Sequence, residues 1–297
     1  LVDSSIAAAD AARFWLACAQ WGGVQSPVAS VEDAKRAIVL YRDLHDRVGS
    51  YQAWTALAFS LTMAGQLDEA RRALIEPLKL RDPAWPPWLR CLVDNIALIV
   101  FSNLGALSEA REHALAYLSV IRQGGSTLSE WVALSLLVDL DVAAGNAQQA
   151  ATAASELLAR RRASPETQLD CKSVRLLATA LMSAERLEEA ETVYREALPL
   201  VRRTYGTGAI VLYDAAMLLA RRGRIDDAAR VWSYAEHVFA AEGRLPRLVA
   251  RQIRDRLLAL LAAERPPDTL SRLYDEGRRL TDDQACALAF PPLAPRA

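Results

Sequence analysis

The sequence predicts an all-α chain, a right-handed solenoid of antiparallel helix pairs closed by a C-terminal helical cap. Three observations carry that expectation. The 297 residues exceed what one compact core ordinarily holds, so the length asks for two domains or an open-ended array. Gly and Pro number 13 each, too few for the turns of a β-rich fold, while the strong helix formers Ala, Leu, Arg and Glu dominate. Most tellingly, one short segment recurs at a fixed period, the mark of a repeat architecture.

The recurring segment reads Gly65-Gln-Leu-Asp-Glu-Ala70, Gly105-Ala-Leu-Ser-Glu-Ala110, Gly145-Asn-Ala-Gln-Gln-Ala150, Glu185-Arg-Leu-Glu-Glu-Ala190 and Gly223-Arg-Ile-Asp-Asp-Ala228. Its alanines step by 40, 40, 40 and 38 residues, and a weaker copy, Ser30-Val-Glu-Asp-Ala34, lies 36 residues before Ala70. Each residue type has a reason. Gly ends a first helix because the chain must turn there through a left-handed conformation. The acids and amides sit in the first turn of a second helix, where free N–H groups and the dipole favour them. Ala is small because the two helices cross closest at that point. A first helix shows its own apolar stripe, as in Trp54, Leu57, Ala58 and Leu61, or Val174, Leu177, Ala178 and Leu181. The second helix follows with Leu74, Ala114 and Tyr117, Leu157, Tyr194 or Trp232. This predicts five to six helix pairs over residues 1–244.

The pattern resembles the tetratricopeptide motif, most closely in Trp54-x-x-Leu57-Ala58-x-x-Leu61 with Gly65, Ala70, Leu74 and Pro83, and the resemblance spans roughly residues 30 to 245. That family's unit is ~34 residues, whereas this one is mostly 40. Links such as Asp82-Pro-Ala-Trp-Pro-Pro-Trp88, Gln123-Gly-Gly-Ser-Thr127, Ala163-Ser-Pro165 and Tyr205-Gly-Thr-Gly208 absorb the difference, and a changed curvature is expected.

Residues 245–297 read as a helical cap over the last repeat. A helix is expected over Leu245–Leu261, a break at Pro266-Pro267 and a second helix over Leu270–Leu280. Thr281-Asp-Asp-Gln284 is a capping box opening a last helix, Ala285–Phe290. The run Arg272-Leu-Tyr-Asp-Glu-Gly-Arg-Arg-Leu-Thr-Asp-Asp-Gln-Ala-Cys-Ala-Leu-Ala289 resembles the closing segment of bacterial multidomain transcriptional regulators. These join a DNA-binding domain, a nucleotide-switch ATPase and a helical-repeat sensor, and often end in a Glu-Gly-Arg-x-Leu-(Ser/Thr) turn. Arg222–Glu236 is similar to their last repeat, although Trp232-Ser-Tyr stands where that repeat carries small residues. The resemblance implies a sensor segment that works with upstream domains of the same polypeptide, and a start at Leu1 rather than Met fits a piece of something longer.

Composition removes several classes of function. With 35 basic and 36 acidic residues the net charge gives no general attraction to nucleic acid. Arg160-Arg161-Arg162, Arg202-Arg203 and Arg221-Arg222 sit near expected helix ends and are read as solvated. No GxxxxGK[ST] phosphate loop occurs, so no nucleotide is expected to bind, and Gly206-Thr-Gly208 is read as a flexible link. Cys18, Cys91, Cys171 and Cys286 never form a CxxC pair and suit reduced, buried thiols of a cytoplasmic protein. The apolar, uncharged run Asn95–Ser108 is 14 residues, short of the ~20 of a membrane span. His45, His113 and His237 lie in separate repeats and are expected on the surface, so neither metal nor other cofactor is implied. Paired acids such as Glu188-Glu189 recur with the repeat and are first-turn charges. Trp54, Trp131 and Trp232 fall at core spacing, while Trp85 and Trp88 stay open as contact residues.

The remaining candidates are polar residues on first helices, which line the concave groove of such arrays. By spacing they are Asn95, Ser102, Asn103, Ser135, Asp139, Lys172, Arg175, Tyr213 and Arg221. Arg175 is the expected anchor, because an arginine fork holds a carboxylate or phosphate through two hydrogen bonds. Asp141 is placed against the second helix, so either it pairs with Lys172 or Arg175 or the register shifts there. The expected function is non-enzymatic: a sensor domain that captures a small-molecule inducer or a peptide or protein in its groove. The alternative is a free-standing scaffold that assembles other proteins.

Overall fold

The computed structural model describes residues 2–22, 26–124, 127–163, 171–243 and 245–291, with the side chains of 2–6, 127–129, 171 and 172 outside that description. Among the described residues every regular element is a helix and no strand occurs. In chain order the helices are α1 (Val2–Gly22), α2 (Pro27–Asp43), α3 (Arg47–Met63), α4 (Leu67–Ala73), α5 (Ile75–Leu80), α6 (Pro87–Arg90), α7 (Leu92–Leu104), α8 (Leu107–Gly124) and α9 (Thr127–Ala143). There follow α10 (Ala147–Ala163), α11 (Cys171–Ser183), α12 (Leu187–Tyr205), α13 (Ala209–Arg221), α14 (Ile225–Ala241), α15 (Leu248–Glu264), α16 (Pro267–Arg278) and α17 (Asp282–Ala289). None is long and apolar enough to cross a membrane.

The repeat turns form as their chemistry requires. Gly65, Gly105, Gly145 and Gly223 adopt φ of 78°, 79°, 84° and 75°, and Glu185, which replaces Gly in the fourth copy, adopts the same left-handed region at 61°. Each turn is closed by the same pair of bonds. In the third copy the Gly145 N–H reaches the Val142 carbonyl and the Asn146 N–H reaches that of Asp141; in the fourth, Glu185 and Arg186 repeat the pattern onto Met182 and Leu181. This is the Schellman arrangement, which satisfies carbonyls that a helix end leaves free. Ala70, Ala110, Ala150, Ala190 and Ala228 are all 0% exposed. Helices α3 and α4, α7 and α8, α11 and α12, and α13 and α14 pack as sequential neighbours. The weaker copy departs from the rule. Ser30–Ala34 lies inside α2, whose N-cap is Ser26, so it opens no helix, although Ala34 is fully buried.

One expected second helix is split into α4 and α5 at Leu74. Pro77 is the cause: it has no N–H for the Ala73 carbonyl, and its ring crowds that carbonyl.

The chain resolves into two compact units, one of Leu1–Ala133 with Glu242–Leu245, the other of Leu134–Ala241 with Pro246–Ala297. Helices α15–α17 share the second unit with α10–α14. In the first unit Val31, Ala37, Tyr51, Leu57, Leu61, Val93 and Val100 form the core. In the second, Leu177, Leu181, Leu212, Leu218, Leu257, Leu261 and Leu273 are the largest buried apolar side chains.

The capping box at Thr281 is present. Its hydroxyl accepts from the Gln284 N–H at 3.2 Å, and the Gln284 side chain accepts from the Thr281 N–H at 2.9 Å. The next residue corrects one expectation. The 206–208 link is held, because Asp282 accepts from the Gly208 N–H (2.7 Å), the Thr207 hydroxyl (3.0 Å) and the Tyr234 hydroxyl (2.8 Å), with Arg202 Nε 2.7 Å away. Burial opposes the charge, but these donors outweigh it and hold the Asp282 carboxyl below its ordinary range. A depressed carboxylate adds stability at neutral pH that is lost as pH falls through its folded value. Asp282→Asn should therefore cost about 1.5 kcal/mol at pH 7, as expected for bonds to a charged acceptor. It should also flatten the loss of stability below about pH 4. Denaturant melts of both proteins at pH 7 and pH 3 check this, and parallel pH profiles would contradict it.

Candidate functional site

Polar side chains buried in the apolar first helices are the features that packing alone does not explain. In the first unit Ser102 and Asn103 of α7 are already served, whereas the buried Ser60 hydroxyl of α3 has no partner. Ser102 Oγ and Asn103 Nδ2 both donate to the Ile99 carbonyl of their own helix, at 3.1 and 2.9 Å. Asn95 is partly buried on α7. Its neighbour Asp94, 2% exposed, carries the electrostatics: Arg81 Nη1 donates to it at 2.6 Å, and His113 Nδ1 lies 2.9 Å from its other oxygen. The His113 ring stacks on Phe101 at 5.4 Å. His45 and His237 are exposed as expected, but His113 is not a surface histidine. Its side chain is 21% exposed because a buried acid and an aromatic face hold it. Trp85 packs edge-on against Tyr51, while Trp88 stays 60% exposed. A shallow groove of about 530 Å³ runs between Arg71, Arg72, Ile75, Leu78 and Phe101.

The second unit gathers two of the expected site residues and adds two that the spacing did not single out. Asp139 of α9, Arg175 of α11, Asp214 of α13 and Arg247, the N-cap residue of α15, form one charge cluster. Arg175 Nη1 donates to Asp214 Oδ2, and Thr179 Oγ1 donates to the same oxygen at 3.0 Å. Tyr194 meets Thr179 at 3.0 Å from behind. Arg247 Nη2 lies 3.8 Å from Asp139 Oδ2, an ion pair too long for a hydrogen bond. Side-chain exposure rises from Asp214 at 1% through Asp139 at 9% and Arg175 at 13% to Arg247 at 28%. Asp214 is thus the floor and Arg247 the mouth.

The charges are imperfectly matched. Burial pushes the Asp139 carboxyl above its ordinary range despite Arg247 and Arg175. It also lowers the Arg247 guanidinium, with Asp139 only partly offsetting it. Burial works against Arg175 too, but Asp214 and Asp139 outweigh it and hold the guanidinium more firmly protonated. Four polar atoms of the cluster are buried without a hydrogen-bond partner: Arg175 Nε, Asp214 Oδ1, and Nε and Nη2 of Arg247. The Tyr213 hydroxyl is a fifth such atom nearby, its phenol pushed up by burial and by Glu236. Each orphaned group costs about 1–3 kcal/mol, a penalty that packing does not require.

Ser135 is buried on α9. Arg221 is a surface residue paired with Glu185 at 2.6 Å, and the Lys172 side chain falls outside the described residues. The basic runs expected to point into water are ion-paired: Arg161 and Arg162 with Glu196, Arg202 with Asp282 and Asp283, and Arg222 with Glu191. Cys91 and Cys286 are buried as expected, whereas Cys18 is only partly so. Among the described residues, no group of three or more His, Cys, Asp or Glu is placed to hold a metal ion.

A positional signal for part of the cluster does exist. Asn95, Ser135, Arg175 and Tyr213 each stand fifteen residues before their repeat alanine, so one first-helix position is polar in four successive copies. Asp214 follows that position directly. Arg247 has no repeat equivalent, since it sits in the connection to α15.

No family model and no curated protein matches the chain. Among solved structures, the apo form of RapI is similar with a TM-score of 0.47 and 14% identity, covering 91% of this chain and 84% of that one.

Proposed function

We propose that this chain is a non-enzymatic helical-repeat binding module, the sensor segment of a larger bacterial regulator, and that the Asp139–Arg175–Asp214–Arg247 cluster is its capture site. The right-handed stacking of helix pairs and the coupling to upstream domains belong to the same proposal. One observation supports it above the others. Three first helices, α9, α11 and α13, and the connection before α15 direct charged groups to one place and leave donors and acceptors there unpaired. Folding alone gains nothing from that, whereas a ligand that satisfies those groups would favour the arrangement it binds.

A second reading, a scaffold that docks other proteins, is favoured by the groove at Phe101 with its exposed Ile75 (50%) and Leu78 (37%). Thermal-shift screening of the full chain with a library of metabolites and short peptides separates the two. A saturating ligand near a hundred times its Kd adds about 2.7 kcal/mol, enough for a shift of about 2 °C or more. The sensor reading expects hits whose shift disappears in Arg247→Met. Hits that survive Arg247→Met and vanish in Phe101→Ala would transfer the function to the groove.

A further inference from the structure

The unpaired atoms of Arg247 are a particular pair. Nε and Nη2 are the two nitrogens whose N–H bonds point the same way along one edge of the guanidinium, the side-on fork that receives both oxygens of a carboxylate. Both are shut from solvent and neither has a hydrogen-bond acceptor, while Asp139 attracts Nη2 from 3.8 Å without completing a bond. The side chain as a whole is 28% exposed. It springs from the non-helical connection just before α15, next to Pro246. Reaching the fork would then call for a rotation of this side chain rather than the movement of a helix.

The charge balance selects the ligand. The cluster holds two carboxylates and two guanidinium groups, and Arg175 is already committed to Asp214. A bare anion taken by Arg247 would strip Asp139 of its partner and leave a buried negative charge uncompensated, which is costly. A ligand carrying one carboxylate and one ammonium keeps the sum at zero. Its ammonium would find acceptors waiting in Asp139 and in Asp214 Oδ1, the buried oxygen with no partner.

We propose that Arg247 anchors the carboxylate of a small zwitterion of the amino-acid type, with Asp139 and Asp214 receiving its ammonium. This rests on the sensor reading above and names the class of ligand the site would take. Capture would replace the loose Arg247–Asp139 contact with two complete sets of hydrogen bonds, so the ligand itself changes how α15 is tied to α9.

The test is calorimetry of the full chain with each proteinogenic L-amino acid, then with the N-acetyl and carboxamide forms of any that binds, and with inorganic phosphate. At least one amino acid should bind, and removing either of its charges should weaken it tenfold or more. Arg247→Lys keeps the charge but not the fork, and should weaken binding tenfold or more with the melting temperature of the free protein unchanged. Asp139→Asn should discriminate against the ammonium, so that the N-acetyl form loses less affinity than the parent. If no amino acid binds, or if phosphate or the N-acetyl form binds as well as the parent, the zwitterion proposal is overturned. The sensor reading survives that outcome if the library still yields ligands dependent on Arg247, and fails with it only if none is found.

Discussion

Replacing Asp214 by Ala is expected to lower the unfolding free energy by about 3–5 kcal/mol, the cost of leaving one member of a buried ion pair without the other. The carboxylate is 1% exposed and accepts both the Arg175 guanidinium and the Thr179 hydroxyl. Without it the Arg175 charge keeps only Asp139 as a counter-charge, and that residue already faces Arg247. Burial still opposes the charge, and Arg does not escape by losing its proton. The double variant Arg175→Met with Asp214→Leu should recover most of the loss, because packed apolar residues often replace a buried pair at little cost. Guanidinium melts followed by circular dichroism give both numbers. A loss under about 1 kcal/mol for Asp214→Ala would mean that water reaches the pair and screens it as on a surface. The same melts decide the role of Arg175. A large drop in stability for Arg175→Ala with ligand binding intact would make it the structural support of the site and leave Arg247 as the anchor.

What the sequence makes legible here is local. The left-handed turn needs Gly, or a residue made to tolerate φ > 0, and the closest helix crossing needs Ala. Both requirements act within about ten residues, so they print a period that is readable before any coordinates. Glu185 shows how strong the constraint is, since the turn forms even where Gly is absent. Pro77 was equally readable, because a missing N–H breaks a helix wherever it falls, yet the repeat pattern ran over it. The site was legible only in part. Asp139 and Arg175 stand out as charges inside apolar stripes. Asp214 is such a charge too, beside the repeated polar position, whereas Arg247 becomes informative only once the start of α15 is brought against Asp139, and sequence carries no period for such a contact. Asp282 is the same case: it closes the turn at Gly208 from 74 residues away, and nothing near either residue announces the bond.

The second large effect is expected at Gly277, where a side chain has no room. Gly277 lies within α16, as the helix expected over Leu270–Leu280 implies, and α16 packs against α14. A Cβ there would come well inside van der Waals contact with the Arg230 carbonyl oxygen, and would lie 2.9 Å from Ser233 Cβ. The glycine is needed for closeness, and its φ is not left-handed. Two polar contacts hold the helices at this distance: Ser233 Oγ donates to the Tyr274 carbonyl at 2.7 Å, and Arg230 Nε donates to Glu276 at 2.7 Å. In an open helix Gly→Ala would gain about 0.5–1 kcal/mol from propensity. Here the obstructing atom is backbone and cannot rotate away, so the overpacking cost of about 1–3 kcal/mol exceeds that gain. Gly277→Ala should be destabilising, and Gly277→Val should cost about 3 kcal/mol, because a branched side chain also disfavours the helix. The damage should be traceable to the α14–α16 contact. Amide exchange in α16 should rise in Gly277→Val well before the protein unfolds as a whole, since the helix must lift off to admit the side chain. If Gly277→Ala instead stabilises the chain, α16 has slack against α14, and the close approach is not what holds the glycine in place.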